Sequence, residues 1–288
     1  MKKTLFILAM LLPLLSCSKD EDAADTYLVV EGWIENGAAP MVMVSETIGI
    51  TTGEYISPKD MVEHISKWAK VTLSDGENTE ILTGIADAGY FPPYVFTSSR
   101  IRGEVGKTYT LEVEYKDYKA KATTTIPRPV PIDTLYVREV SYGARMDSTC
   151  VVMCGFRDPK GEENFYKIMA MDTSQDNHYH ACSITCTPDD VMGDYTEIPF
   201  VNILRLMDAA LWPNLKLDHE IKVKLCTMDK TTYNYWRDFE AQKNNSSFGL
   251  SFRVGSLRSN MDGALGYFAG YGVAGEKSLL LKDPNAEE

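Results

Sequence analysis

Histidine and cysteine crowd into one short run of this chain, His178, His180, Cys182 and Cys186. These positions share parity, so on a β-strand their side chains leave from one face. Imidazole and thiolate are the ligand types of zinc and copper. A strand rises about 3.3 Å per residue, which sets an extended His178 roughly 26 Å from Cys186. A single ion would therefore engage neighbours, His178, His180 and Cys182. The same cysteines allow a second chemistry. Cys150 and Cys154 repeat the spacing of Cys182 and Cys186, so two such strands paired in register would place thiols for disulfides in an oxidising space. The alternative is that all of them are small, buried, apolar side chains. Both readings stay open, and Cys226 is the thiol left over from the pairing.

A further group lies at Tyr90, Phe91 and Tyr94, set around Pro92 and Pro93. Aromatic rings on a proline-shaped loop offer flat faces for stacking on a sugar, a peptide or a protein surface. Enzyme signatures are missing: there is no Gly-x-Ser-x-Gly elbow, no His-Glu-x-x-His and no phosphate loop. No pair among the carboxylates stands out for acid–base work. The expectation is a protein that is not an enzyme and carries no cofactor. With 41 acidic against 29 basic residues the formal charge is −12, which repels phosphate backbones and argues against nucleic-acid binding.

The elements that must position these residues read as β. Leu28 to Ile34 and Met41 to Ser45 flank Asn36-Gly37, a hairpin signal. Val71 to Leu73 and Glu80 to Leu82 flank Asp75-Gly76, and Thr108 to Tyr115 alternates with period two. A capping Ser57 and Pro58 predict a short helix of two or three turns running toward Trp68. Pro127, Pro129 and Pro131 form a stiff linker. Beyond it, strands are expected near residues 134–137, 150–156, 165–171 and 220–226. A helix over 230–243 follows, capped by Asp229 and burying Tyr233, Trp236 and Phe239. The fold class is mainly β, two tandem Ig-like β-sandwich domains with a few short helices. The N-terminal domain spans 26–128 and the C-terminal one 132–283.

The N-terminus reads as an export signal. Lys2 and Lys3 precede an apolar run from Leu5 to Leu15, too short for a comfortable membrane span of about 20 residues. Leu14-Leu15-Ser16-Cys17 is similar to a lipobox, which predicts a signal peptide at 1–16 and lipidation of Cys17. Residues 17–25 then form the lipidated Cys and a short acidic tether, too polar to bury.

Several widely spaced segments carry a resemblance. They are Leu28–Ile34, Ala69–Gly76, Gly103–Leu111, Ile132–Tyr136, Phe156–Tyr166 and Ser259–Phe268. In this order they resemble the DUF4249 family of Bacteroidetes lipoproteins, and the acidic tether resembles the export signal of surface lipoproteins in that group. The resemblance implies a lipoprotein of the outer membrane, facing the cell exterior, that accompanies a TonB-dependent transporter in nutrient capture. It assigns no catalytic residue. The other class of function consistent with the sequence is a structural or adhesive cell-surface protein.

Overall fold

The computed structural model describes residues 26–47, 58–142, 148–175, 177–185, 194–201, 215–245 and 257–285. The signal segment, Cys17, the tether and Cys186 lie outside them.

Alternation sets the faces of the sheets. In β1 (Leu28–Glu35), Leu28, Val30, Gly32 and Ile34 are buried, and the residues between them are half-buried. The chain turns at Gly37, whose φ of 79° suits glycine, and returns as antiparallel β2 (Met41–Glu46). There follow α1 (Pro58–Glu63), β3 (Lys70–Ser74), β4 (Thr79–Ile81), β5 (Thr83–Ala86), β6 (Tyr94–Thr97), β7 (Thr108–Tyr115) and β8 (Tyr118–Thr125). After the proline linker come β9 (Ile132–Tyr142), β10 (Ser148–Phe156), β11 (Phe165–Asp172), β12 (His180–Thr185), β13 (Thr196–Phe200), β14 (Glu220–Met228), α2 (Lys230–Asn245) and β15 (Leu265–Leu280).

The chain is mainly β and its sheets form sandwich-like domains. One sheet runs β12-β11-β14-β15-β1-β2-β6-β5. At its N-terminal half it faces the sheet β4-β3-β7-β8 across a core that includes Val30, Ile34, Val71, Leu111, Val113, Ile126 and Phe268. At the other half it faces β13-β10-β9 across Val152, Phe156, Tyr166, Ile168, Val223 and Leu225. A third apolar layer lies on the outer face of the long sheet, where α2 packs Tyr233, Tyr235, Trp236 and Phe239 against Phe165, Tyr267 and Tyr271.

The strictly tandem arrangement expected of the two domains is modified by β15. Its first half pairs in parallel with β1, Val29 opposite Leu265 through Glu35 opposite Tyr271, and its second half pairs with β14. Residues 265–271 thus complete the N-terminal sandwich, and one strand is shared by both cores. Asn260 holds the start of this crossing. Its amide donates to the Phe268 and Thr123 carbonyls (2.7 and 3.0 Å) and accepts from Phe268 N (3.0 Å).

The expected helix toward Trp68 stops at Glu63 because β2 takes up the backbone that follows. Glu46 N donates to the His64 carbonyl and Ser66 N to that of Val44, both at 2.9 Å. Asp229 does cap α2, accepting from Thr232 N at 2.7 Å, and Tyr233, Trp236 and Phe239 are buried as the spacing predicts. Tyr109 closes a tyrosine corner: fully buried, its hydroxyl accepts from Glu104 N (2.8 Å) and donates to the Arg102 carbonyl (3.1 Å).

Glu80 on β4 is a second latch in this sandwich. It accepts from the Ser98 hydroxyl (2.5 Å), the Ser99 hydroxyl (2.9 Å) and amide (3.1 Å), and Ile101 N (3.3 Å). Burial alone would push its carboxyl up. The donors outweigh that and hold it at about 2. A carboxyl depressed on folding adds stability above its unfolded value, and that stability is lost as pH falls toward the folded one. Glu80→Gln is expected to cost about 2–3 kcal/mol at pH 7. Its deficit against wild type should shrink as pH falls from 4.5 toward 2. Urea unfolding at pH 7 and pH 3 checks this, and a pH-independent deficit contradicts it.

Candidate functional site

The outward positions of β1 are Val29, Glu31, Trp33 and Glu35, a strand face that carries an indole between two carboxylates. Beside it the β5–β6 turn folds tightly. Asp87 accepts from Gly89 N (2.9 Å), Tyr90 N donates back to the Asp87 carbonyl (3.3 Å), and the Phe91-Pro92 bond is cis. This turn projects Tyr90 over β1, with the Trp33 and Tyr90 ring centroids 6.0 Å apart. From the C-terminal sandwich the β11–β12 turn brings His178 edge-on to Tyr90 at 4.5 Å, its Nε2 3.9 Å from Asp87. The approach is close enough that a Cβ on Gly89 would fall 1.8 Å from the imidazole.

The same face continues across the long sheet. Glu35 receives Lys224 at 2.8 Å, and the ammonium lies 4.1 Å from the centre of the Tyr179 ring. Tyr179 donates to Glu276, which also binds Lys222 at 2.9 Å. Burial, then the Asp87 and Glu35 charges, push the Tyr90 phenol up to about 12. Glu31 retains part of its surface yet is walled in by protein, and burial pushes its carboxyl up to about 7. The outcome is an aromatic surface at the junction of the two sandwiches, bordered by carboxylates and held by cross-domain contacts. Rings and charged groups so arranged can offer stacking and polar recognition. Among the described residues that form this face, no nucleophile is paired with a base.

Two groups that look separate in the sequence, Tyr90 and His178, therefore meet in space. The rest of each group does not join them. Tyr94 turns inward onto Phe96 (5.5 Å) and packs on the N-terminal core, while Phe91 is half-buried in the turn. The metal set of His178, His180 and Cys182 is not assembled. Cys182 points into the C-terminal core, fully buried, whereas His178 reaches out to Tyr90. Among the described residues no three His, Cys, Asp or Glu side chains stand where they could hold a metal ion.

The disulfide pairing is also corrected. Cys150, Cys154, Cys182 and Cys226 are buried thiols that form no disulfide, and Cys186 lies outside the described residues. Cys150 and Cys154 lie on β10, between β9 and β13, and Cys182 lies on β12 at the edge of the long sheet, so the two strands do not pair in register; their thiols face the same C-terminal core from the two opposing sheets. Burial pushes the Cys154 and Cys182 thiols up to about 12, which leaves them unreactive.

Trp33, Glu35, Asp87, Tyr179 and Lys224 also line this face, and their residue types alone carry no signal in the sequence. The readable signal was the outward parity of Trp33 and Glu35 on a strand whose other face is plainly the core. A serine, histidine and aspartate also gather after β11. Ser174 Oγ and Asp172 Oδ2 lie 2.9 and 2.7 Å from His219, but both meet Nδ1. A nucleophilic relay needs the hydroxyl on Nε2 and the carboxylate on Nδ1. The group instead fastens a turn, since Asp172 also accepts from Ser174 N and Oγ (3.0 and 2.6 Å).

No curated protein matches this sequence. Among solved structures, a cytokine receptor complex covers 89% of this chain and 98% of its own at 8% identity and a TM-score of 0.24. Titin domains A168-A170 cover 71% and 61% at 9% identity and a TM-score of 0.21. No helix among the described residues is long and apolar enough to cross a membrane. The family model described as a domain of unknown function, DUF4249, matches residues 17–277. That span takes in the N-terminal sandwich, most of the C-terminal one and the shared strand as far as Lys277, and the chain belongs to the DUF4249 family.

Proposed function

We propose that this protein is a non-catalytic surface lipoprotein, anchored in the outer membrane through Cys17, that serves a TonB-dependent transporter as an accessory subunit in nutrient capture. The observation that carries the binding role is the junction of Trp33, Tyr90 and His178, three rings from two sandwiches brought onto one half-open face. Aromatic anchors bordered by charged groups are typical of recognition surfaces. The lipobox-like Leu14-Leu15-Ser16-Cys17 supports the anchor, and two or more acyl chains would hold it stably.

Gentle detergent extraction of the tagged lipoprotein, with mass spectrometry of what accompanies it, tests the reading. A barrel-sized transporter is expected at near-stoichiometric recovery. Trp33→Ala combined with Tyr90→Ala should reduce that recovery or substrate uptake at least about tenfold, the loss of two hot-spot rings, while the melting temperature moves by only a few degrees. Recovery of the lipoprotein alone, with uptake intact and cell adhesion lost in a deletion strain, would replace this reading with the adhesive one.

A further inference from the structure

One end of the N-terminal sandwich receives the chain from its N-terminal segment. Tyr27 N donates to the Thr47 hydroxyl (2.9 Å), Thr47 N donates to the Tyr27 carbonyl (2.8 Å), and the Tyr118 hydroxyl donates to the Thr26 carbonyl (2.7 Å). The tip of the β7–β8 hairpin lies at this end, where Lys116 binds Glu46 at 2.8 Å. So do residues 64–70, the described end of the crossover from β2 to β3. Ser66 N is bonded to Val44, and Lys70, the first residue of β3, pairs with Glu114 at 3.0 Å.

Trp68 sits on that crossover and is 91% exposed, with Tyr27 50% exposed. Its neighbours are fixed. Ile65, Ser66 and Ala69 are buried, and Ala69 N donates to the Ser66 carbonyl at 3.0 Å. The indole is therefore held outward by an ordered backbone. Tryptophan is among the more buried residues on average, so a fully presented indole asks for a partner. An apolar ring with one polar N–H, beside a tyrosine, is the combination that settles at a bilayer–water interface.

Charge agrees with this. The segments that build this end, residues 26–27, 45–47, 58–70 and 113–120, hold lysines and carboxylates in equal number, in a chain of net charge −12. The lysines can lie along a lipid surface with their heads in the headgroup layer. From Cys17 to Thr26 the chain spans at most about 30 Å, so this end is held nearest to anything that carries Cys17.

We propose that Trp68, with Tyr27, seats this end of the N-terminal sandwich on the bilayer that holds the Cys17 anchor. The proposal rests on lipidation of Cys17, and its test separates the two. Full-length lipidated protein is reconstituted into phosphatidylcholine–phosphatidylethanolamine vesicles with and without brominated phosphatidylcholine. Flotation of wild type and of Cys17→Ser reports the anchor, and quenching of tryptophan emission reports the contact. The expected result is flotation of wild type alone, together with quenching that falls at least about threefold in Trp68→Phe. Flotation with no quenching, or with equal quenching in Trp68→Phe, overturns the contact and leaves the anchor standing. A Cys17→Ser protein that floats like wild type overturns the anchor and the contact with it. Photocrosslinking from position 68 to a protein in place of lipid would also overturn it, assigning Trp68 to a protein interface.

Discussion

Lys167→Met is expected to lower stability by about 3–5 kcal/mol, the cost of leaving a carboxylate in a low-dielectric layer after its cation is removed. Lys167 lies on β11 with its side chain fully buried, facing α2. Its ammonium is bonded to Glu240, itself only 14% exposed, donates to the Cys182 carbonyl at 3.0 Å, and lies 4.8 Å from the centre of the Trp236 ring. Three kinds of partner thus converge on one charge and tie α2 to β11 and β12. The pair is not thereby a large net source of stability, because desolvating both ions offsets much of their attraction. That asymmetry separates two variants. The single change removes the cation beside Glu240, whereas Lys167→Met with Glu240→Leu removes both charges and should recover most of the loss. Urea unfolding of both variants checks it. A single variant within about 1 kcal/mol of wild type, or a double variant no better than the single, would refute the assignment.

Much of the fold is legible in the sequence because period-two alternation and turn residues are local signals. Asn36-Gly37 and Asp75-Gly76 turn where expected, and the Tyr233, Trp236 and Phe239 spacing marks the buried side of α2. What stays hidden is pairing between distant strands. Nothing local in Leu265–Leu280 says that its first half lies parallel to β1, and from the linker alone the domains read as strictly consecutive. The disulfide expectation misses for the same reason: spacing can place two cysteines on one face of a strand, but only topology says which strand lies alongside. At the candidate site, Tyr90 and His178 attract notice by type. Their meeting depends on the shared sheet that brings the β5–β6 and β11–β12 turns together.

Gly266→Ala is expected to destabilise both sandwiches at once, by about 3 kcal/mol or more, since positive-φ strain and a backbone clash each cost of order 1–3 kcal/mol. Gly266 has a φ of +105°, and a Cβ there would fall 2.0 Å from the Val30 carbonyl oxygen. That contact is backbone within the parallel β15–β1 ladder, so no side-chain rotation relieves it. The surroundings are also fixed. Ser259 donates to the Gly266 carbonyl, and Asn260 clamps Phe268 two residues on. Phe268 belongs to the N-terminal core, while Leu279 and Leu281 at the other end of the same segment pack on the C-terminal one. Displacing β15 from β1 therefore disturbs the N-terminal sandwich directly and the C-terminal one through the strand they share. Two consecutive, independent domains would behave differently, with one transition shifted and the other left in place. Thermal unfolding followed by circular dichroism, with hydrogen exchange assigned to β7 and to β11, distinguishes these outcomes. A single transition lowered as a whole, with both strands exchanging faster, is the expected result. Faster exchange confined to β7 would mean that the two cores are energetically separate despite their common strand.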